Sequence, residues 1–206
     1  MKLLKKIACL PVRGLPLFLL LPAFCLMSSR PVANEKYVID QESVVQWKCS
    51  MTFADKGGHN GFVSISKGEL MVEKGHLVGG TVEVDMNTIS NEFHNGKDNL
   101  MDHLKSPDFF DIEKFPISTF TITNVAPAED GHMDVTGNLT IKGITHEVTF
   151  PVKMEIKRGT LKANGKMTID RTLWDIRYGS GKFFFNLADQ TISDSIEFDM
   201  QIVAKK

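Results

Sequence analysis

The chain has 206 residues, with 24 basic and 25 acidic side chains, a formal net charge of −1 and three cysteines. Setting the first thirty residues aside leaves 19 basic against 25 acidic side chains, a net charge of −6; this argues against nucleic acid as a partner, because phosphate binding needs an excess of Lys and Arg. Cys49 is then the sole cysteine, so no internal disulfide can form and the fold must rest on its apolar core.

Residues 1–30 read as a secretory leader. Lys2, Lys5 and Lys6 precede an apolar run from Leu15 to Met27 that is broken by Pro16 and Pro22, and no acidic residue occurs before Glu35. The run is short and Pro-interrupted for a transmembrane span. Three fates stand: a plain cleaved leader, a lipid carried on Cys25, or a retained anchor. Phe24 precedes Cys25 where a lipidation site favours a small residue. The expected location is the periplasm or the exported envelope, with membrane association through the leader or a lipid anchor as the variant reading.

Beyond the leader the chain alternates with period two. Val45, Trp47 and Cys49 form one apolar face, Val63 and Ile65 with Leu70 and Val72 a second, and Val82, Val84 and Met86 a third. The stretch from Leu100 to Phe120 departs from this rhythm. Leu100 and Leu104 lie four apart and share a face on a helix. Ser106-Pro107 reads as an N-cap and first helical position of a second turn, and Phe115-Pro116 ends the helical stretch. His103 is expected to orient the helix by a hydrogen bond. Alternation then resumes at Phe120 and Ile122, and runs through Val135–Ile141, His146–Ile156, Leu161–Ile169 and Ile196–Ile202.

Turn signals separate these runs at Lys56-Gly57-Gly58, Glu73-Lys74-Gly75, Glu129-Asp130-Gly131, Lys142-Gly143 and Arg158-Gly159. Asn164-Gly165 interrupts a run and reads as either a bulge or a turn. About eight half-buried strands imply one all-β domain, its antiparallel sheet closed on itself or folded into two layers, with a short helical insertion over about 96–111. Met86, Met154, Met167 and Met200 fall on apolar faces; they either fill core gaps or suit a cavity that accepts variable apolar ligands.

Arg171, Trp174, Asp175, Arg177 and Tyr178 precede Gly179-Ser180-Gly181. A cationic and aromatic cluster on such a segment either holds a polar head group or forms an ordinary strand end with Arg–Asp pairs. Phe183-Phe184-Phe185 either lines a mouth, touches membrane or plugs one end of the sheet. The six histidines show no i,i+2 or i,i+4 pair; His94 with Asp98 and Asp102 is the one metal candidate, interrupted by Asn95 and Gly96. No Gly-x-Ser-x-Gly elbow, phosphate loop or dinucleotide fingerprint occurs, so neither catalysis nor a cofactor is expected.

Four segments in order resemble the YceI-like family. These are Tyr37-Val38-Ile39-Asp40 with Ser43-Val44, and Gly79-Gly80-Thr81-Val82-Glu83-Val84-Asp85. The third is His103-Leu104-Lys105-Ser106-Pro107-Asp108-Phe109-Phe110-Asp111 with Phe115-Pro116 and Phe120, and the fourth runs from Val135 to Thr145. The resemblance spans residues 36–204. Glu42 departs from the histidine that the family often carries there. Gly58-His59-Asn60-Gly61 and Asp170-Arg171-Thr172-Leu173-Trp174 resemble a branch that often carries lipoprotein-type leaders.

The resemblance implies an eight-stranded antiparallel lipocalin-like barrel around an elongated pocket for a long-chain amphiphile: a polyisoprenoid, an isoprenoid quinone or a similar apolar lipid. Trp47, Val84, Met86, Leu100, Leu104, Phe109, Phe110, Phe120, Ile122, Phe150, Met154, Met167, Phe198 and Met200 are then the expected cavity wall. Leu100, Leu104, Phe109 and Phe110 form a lid in this reading. His59, Arg171, Trp174, Tyr178 and Phe184 are the expected mouth for the head group. A homodimer is compatible with the likeness. The competing readings are a barrel filled by its own side chains that binds a partner, and an enzyme acting on a lipid-like substrate.

Overall fold

A computed structural model of the chain describes residues 34–51, 58–91, 99–187 and 191–206. The leader with Cys25, the His94–Asp98 part of the metal candidate and the Lys56-Gly57 turn lie outside the described residues. Nine strands follow in order: β1 Glu35–Ile39, β2 Val44–Met51, β3 Gly58–Glu73, β4 His76–Asp85, β5 Ile117–Pro127, β6 Met133–Ile141, β7 Ile144–Lys157, β8 Thr160–Asp170 and β9 Ile192–Lys205. Among the described residues one short helix, α1 (Leu100–Lys105), lies between β4 and β5.

Every pairing is antiparallel, and the sheet closes into an eight-stranded barrel because β1 and β2 together fill one strand position. Both pair with β3, through Tyr37↔Leu70 and Trp47↔Gly61, and both pair with β9, through Ile39↔Ala204 and Trp47↔Phe198. The chain leaves the ladder between them, at residues 40–43. Ser43 repairs the gap: its hydroxyl donates to Val203 O at 3.1 Å and accepts from Val203 N at 3.0 Å. The β3–β4 pairing completes the ring.

Three hairpins turn on two residues that both have positive φ: Lys74-Gly75 (51° and 83°), Lys142-Gly143 (51° and 72°) and Arg158-Gly159 (51° and 78°). That is the type I′ geometry, whose twist matches the flanking strands, and glycine relieves the steric cost at its second position. Asn164-Gly165 is neither turn nor bulge relative to β9, since Gly165 pairs with Met200 in unbroken register. On its other side the β7–β8 ladder stops, with Val152↔Gly165 as its last pair. Alternate pairs counted from the Arg158-Gly159 hairpin are hydrogen-bonded, which puts Pro151 opposite Lys166 at a position that requires a donor. Proline has none.

The seam that opens beyond Pro151 is closed by side chains. A 3-10 turn at Arg171–Trp174 follows β8, with Asp170 as its cap accepting from Thr172 N at 3.0 Å. Trp174 is 1% exposed. Its indole donates to Leu139 O at 3.1 Å and meets the His146 ring edge-on at 5.0 Å, while His146 Nε2 lies 3.0 Å from Leu173 O.

α1 is shorter than the expected insertion. Ser106 both closes it and opens the expected second turn: its hydroxyl donates to His103 O at 2.7 Å instead of capping the new turn, while its carbonyl accepts from Phe109 N at 3.1 Å and Asp111 N at 2.9 Å. The chain then turns through Asp111, at φ 49°, into the Phe115-Pro116 exit. Met86 likewise sits just past β4, opening a 3-10 turn capped by Asp85.

Candidate functional site

The barrel interior divides along its axis. The closed end carries the turns Lys74-Gly75, 128–132 and Arg158-Gly159. Here Val72, Leu161 and Ala204 are wholly buried and Tyr37 nearly so. Toward α1 the inward residues Val84, Phe120, Ile122, Phe198 and Met200 are only half-buried, because they face empty space rather than one another. That space is a cavity of about 450 Å³, within the range of ligand pockets.

Small inward residues leave the room. β8 presents Leu161, Ala163, Gly165 and Met167 in turn, and both Ala163 and Gly165 line the cavity. On β6, Gly137 lies under the Phe120 ring so closely that a Cβ would come within 2.4 Å of it. Phe120 in turn packs on Phe150 at 5.4 Å between centroids. α1 and the turn after it cover the opposite side of the cavity with Leu100, His103, Leu104, Phe109 and Phe110.

The expected wall residues line this cavity with one exception. Met154 also points inward, on the β7 face that carries Phe150 and Val152, but it packs into the core outside the cavity lining. Alternation reveals which face a residue occupies but not its height along the barrel. The wall also includes residues that were on the predicted faces without being singled out, among them Val45, Ile65, Val82, Val135, Leu139 and Ala163. Trp47 is fixed in place by its indole, which donates to Ser90 O at 3.2 Å.

The expected mouth divides differently. His59 and Tyr178 line the cavity; Arg171, Trp174 and Phe184 do not. Trp174 belongs to the β7–β8 seam. Arg171 has no exposed surface, and its guanidinium donates to three backbone carbonyls: Nε to Ser193 at 2.9 Å, Nη1 to Ile176 at 2.7 Å and Nη2 to Ile192 at 3.3 Å. Asp194 stands at 3.7 Å as the counter-charge. This arginine fastens the 171–180 segment to the start of β9 and is not presented to a ligand. Burial lowers its pKa, with Cys49, Asp194 and Asp170 pulling the other way. Burial also pushes the Cys49 thiol up, against the opposing pull of the Arg171 charge.

Phe183, Phe184 and Phe185 all face solvent, Phe185 at 89% exposure, so they do not plug the barrel. The Arg177 guanidinium lies over the Phe183 ring at 4.7 Å. Tyr178 is 44% exposed and links the surface to the cavity, with ring contacts to His103 at 4.2 Å and to Phe109 at 5.8 Å. The helix-orienting hydrogen bond expected of His103 is not made by its Nε2, which is buried and meets no hydrogen-bond partner among the described residues. Within these residues no group of three or more metal-ligating side chains assembles.

The comparisons with known proteins agree with this architecture. The family profile described as the YceI-like domain matches residues 37–204. A protein named Protein YceI from Salmonella arizonae is 39% identical over 75 residues, a match that covers 32% of this chain and 39% of the relative's length. The structure of Burkholderia cenocepacia BcnA superposes with a TM-score of 0.66 at 22% identity, over 81% of this chain and 99% of that one. A polyisoprenoid binding domain from Saccharophagus degradans, implicated in plant cell wall breakdown, superposes with a TM-score of 0.57 at 13% identity, over 82% of this chain and 97% of the other.

Proposed function

We propose, from the premise that this chain belongs to the YceI-like family, that it binds a long-chain amphiphile in its barrel and carries or stores it in the cell envelope without chemical turnover. The ligand class is a polyisoprenoid, an isoprenoid quinone or a similar lipid. One observation carries the reading: a cavity of about 450 Å³ whose wall is almost wholly apolar, in a barrel whose other end is filled. Each methylene withdrawn from water into such a space gains about 0.8 kcal/mol before ordering costs. A chain of a dozen carbons therefore has ample driving force without any charged contact.

The cavity also weighs against a barrel filled by its own side chains. Ala163 and Gly165 line the cavity without projecting into it, Gly165 lying close against Val152 and Phe150, and the neighbouring Met200 and Phe198 do not close the space. The polyisoprenoid-binding neighbour on the same fold supports the choice of ligand. Under this reading Trp47, Val84, Phe120, Phe198 and Met200 contact the chain of the ligand, and Leu104, Phe109 and Phe110 form its cover.

Native mass spectrometry of protein extracted gently from its own host tests the proposal. A co-purifying long-chain lipid is the expected result. A clean apo mass, with no uptake of added isoprenoid quinone, would overturn it. Envelope attachment is tested separately by metabolic labelling with a fatty-acid analogue: label that disappears in Cys25→Ser identifies a lipid on that residue, and label that survives excludes it.

A further inference from the structure

The cavity is polar at one end only. Cys49, Ser50, His59, His103, Ser118 and Tyr178 line it on the α1 side; toward the closed end its lining is aliphatic. His103 is set apart in this group by its ring contacts. It is held edge-on between Tyr178 and Phe109, at 4.2 and 5.1 Å between centroids, and its Nε2 is buried with no hydrogen-bond partner among the described residues. A buried ring nitrogen left unpaired is costly, and a ligand oxygen in the cavity would satisfy it.

The surroundings set the charge of that oxygen. Among the described residues that line the cavity there is no Lys, Arg, Asp or Glu. Arg171 lies over the Phe109 ring at 5.8 Å, but three backbone carbonyls and Asp194 already engage its guanidinium. The Lys142 ammonium, near the turn after α1, donates to Pro107 O and Asp175 O. Among the described residues, a phosphate or carboxylate drawn into this end would meet no free counter-charge, and desolvation without one is strongly unfavourable.

We infer that the α1 end of the cavity recognises an uncharged oxygen head group, a hydroxyl or a carbonyl, through His103 Nε2, with Tyr178 positioning the imidazole ring. The inference rests on the apolar-chain reading above and names the head group that reading leaves open. In its Nε2–H tautomer His103 donates to either kind of oxygen; in the other tautomer it accepts from a hydroxyl. Cavity walls select the chain by its apolar surface, and this one nitrogen selects the end of the chain.

The test is competition against a fluorescent apolar dye on the full chain, using phytanol, phytanyl phosphate and the hydrocarbon phytane. Their saturated, branched C20 chains are alike, and they differ in the head group. The unaltered protein is expected to bind the alcohol about tenfold more tightly than either phytane or the phosphate. In His103→Phe the alcohol-to-phytane ratio should fall to about one, and His103→Gln, which keeps a hydrogen-bonding group, should restore most of it. Tyr178→Leu, which releases the ring, should lower the ratio about threefold and serves if His103→Phe does not fold. Equal affinity for alcohol and phytane, tighter binding of the phosphate, or a ratio indifferent to His103→Phe overturns the inference and leaves the apolar-chain reading standing. Failure of all three compounds to displace the dye overturns both.

Discussion

At the closed end of the barrel Val72, Leu161 and Ala204 point inward and are wholly buried, whereas toward α1 Val84, Phe120, Phe198 and Met200 point inward and remain half-buried against a cavity. Both regions are parts of one sheet, and both carry apolar side chains. What differs is the size of the residues that meet at a given height. Leu161 and Tyr37 fill their level; Ala163 and Gly165 line the cavity at theirs. The means of support differ as well. Interlocked apolar groups hold the closed end. The α1 end is held at its rim by hydrogen-bonded fastenings, Arg171 on three carbonyls and Trp174 on Leu139, with empty space inside.

Five measurements bear on this contrast. The largest effect is expected for Arg171→Ala, which leaves the carbonyls of Ser193, Ile176 and Ile192 without a donor and Asp194 without its partner; it should cost about 3–5 kcal/mol in urea unfolding. Leu161→Ala, at the filled end, should cost about 3 kcal/mol by the same measurement, since it opens a void among packed neighbours. Met200→Ala, at the hollow end, should cost about 1 kcal/mol, because part of that side chain already faces a cavity. Equal losses for Leu161 and Met200 would erase the distinction between the two ends.

Ala163→Leu should shift stability by less than about 1 kcal/mol, since the added carbons enter existing space, whereas overpacking a filled core costs about 1–3 kcal/mol. The same variant should take up less lipid in native mass spectrometry. The smallest effect concerns Asp170, the cap of the Arg171–Trp174 turn. Burial raises its pKa, but hydrogen bonds from Lys182 and Thr172 outweigh that, so the folded-state value lies below normal. Its contribution is therefore complete above the unfolded-state pKa of about 3.9 and is lost as pH falls through the lower folded value. Asp170→Asn should leave stability near neutral pH slightly reduced and flatten the acid limb of the pH–stability curve below about pH 4.

The strand faces were legible in the sequence because period-two alternation encodes which side of a sheet a residue occupies. The three two-residue turns were legible because a positive φ at both turn positions favours glycine in the second. The YceI-like fold was legible from four short segments in order. Height along the barrel was not, and Met154 marks that limit: it faces inward but lies outside the cavity lining. Arg171 marks another. A charged residue near an aspartate and a tryptophan reads as exposed until its three carbonyl acceptors are known, and those lie 5 to 22 residues away. Phe183-Phe184-Phe185 marks a third: the sequence left a mouth, a membrane contact and a plug open, and the exposure of all three rings removes the plug. The orphaned nitrogen of His103 was not legible because it is a property of the ring's surroundings rather than of its neighbours in the chain.

The strand position shared by β1 and β2 has a consequence for the order in which this protein can be made. Ser43 and Val203 are separated by 160 residues and exchange two hydrogen bonds, so the ring joins through the first and last strands. Such contacts carry the greatest loop-closure cost and are expected to form late in folding. A chain that stops short of β9 has strands but no inside. The container comes into being only when its last strand arrives.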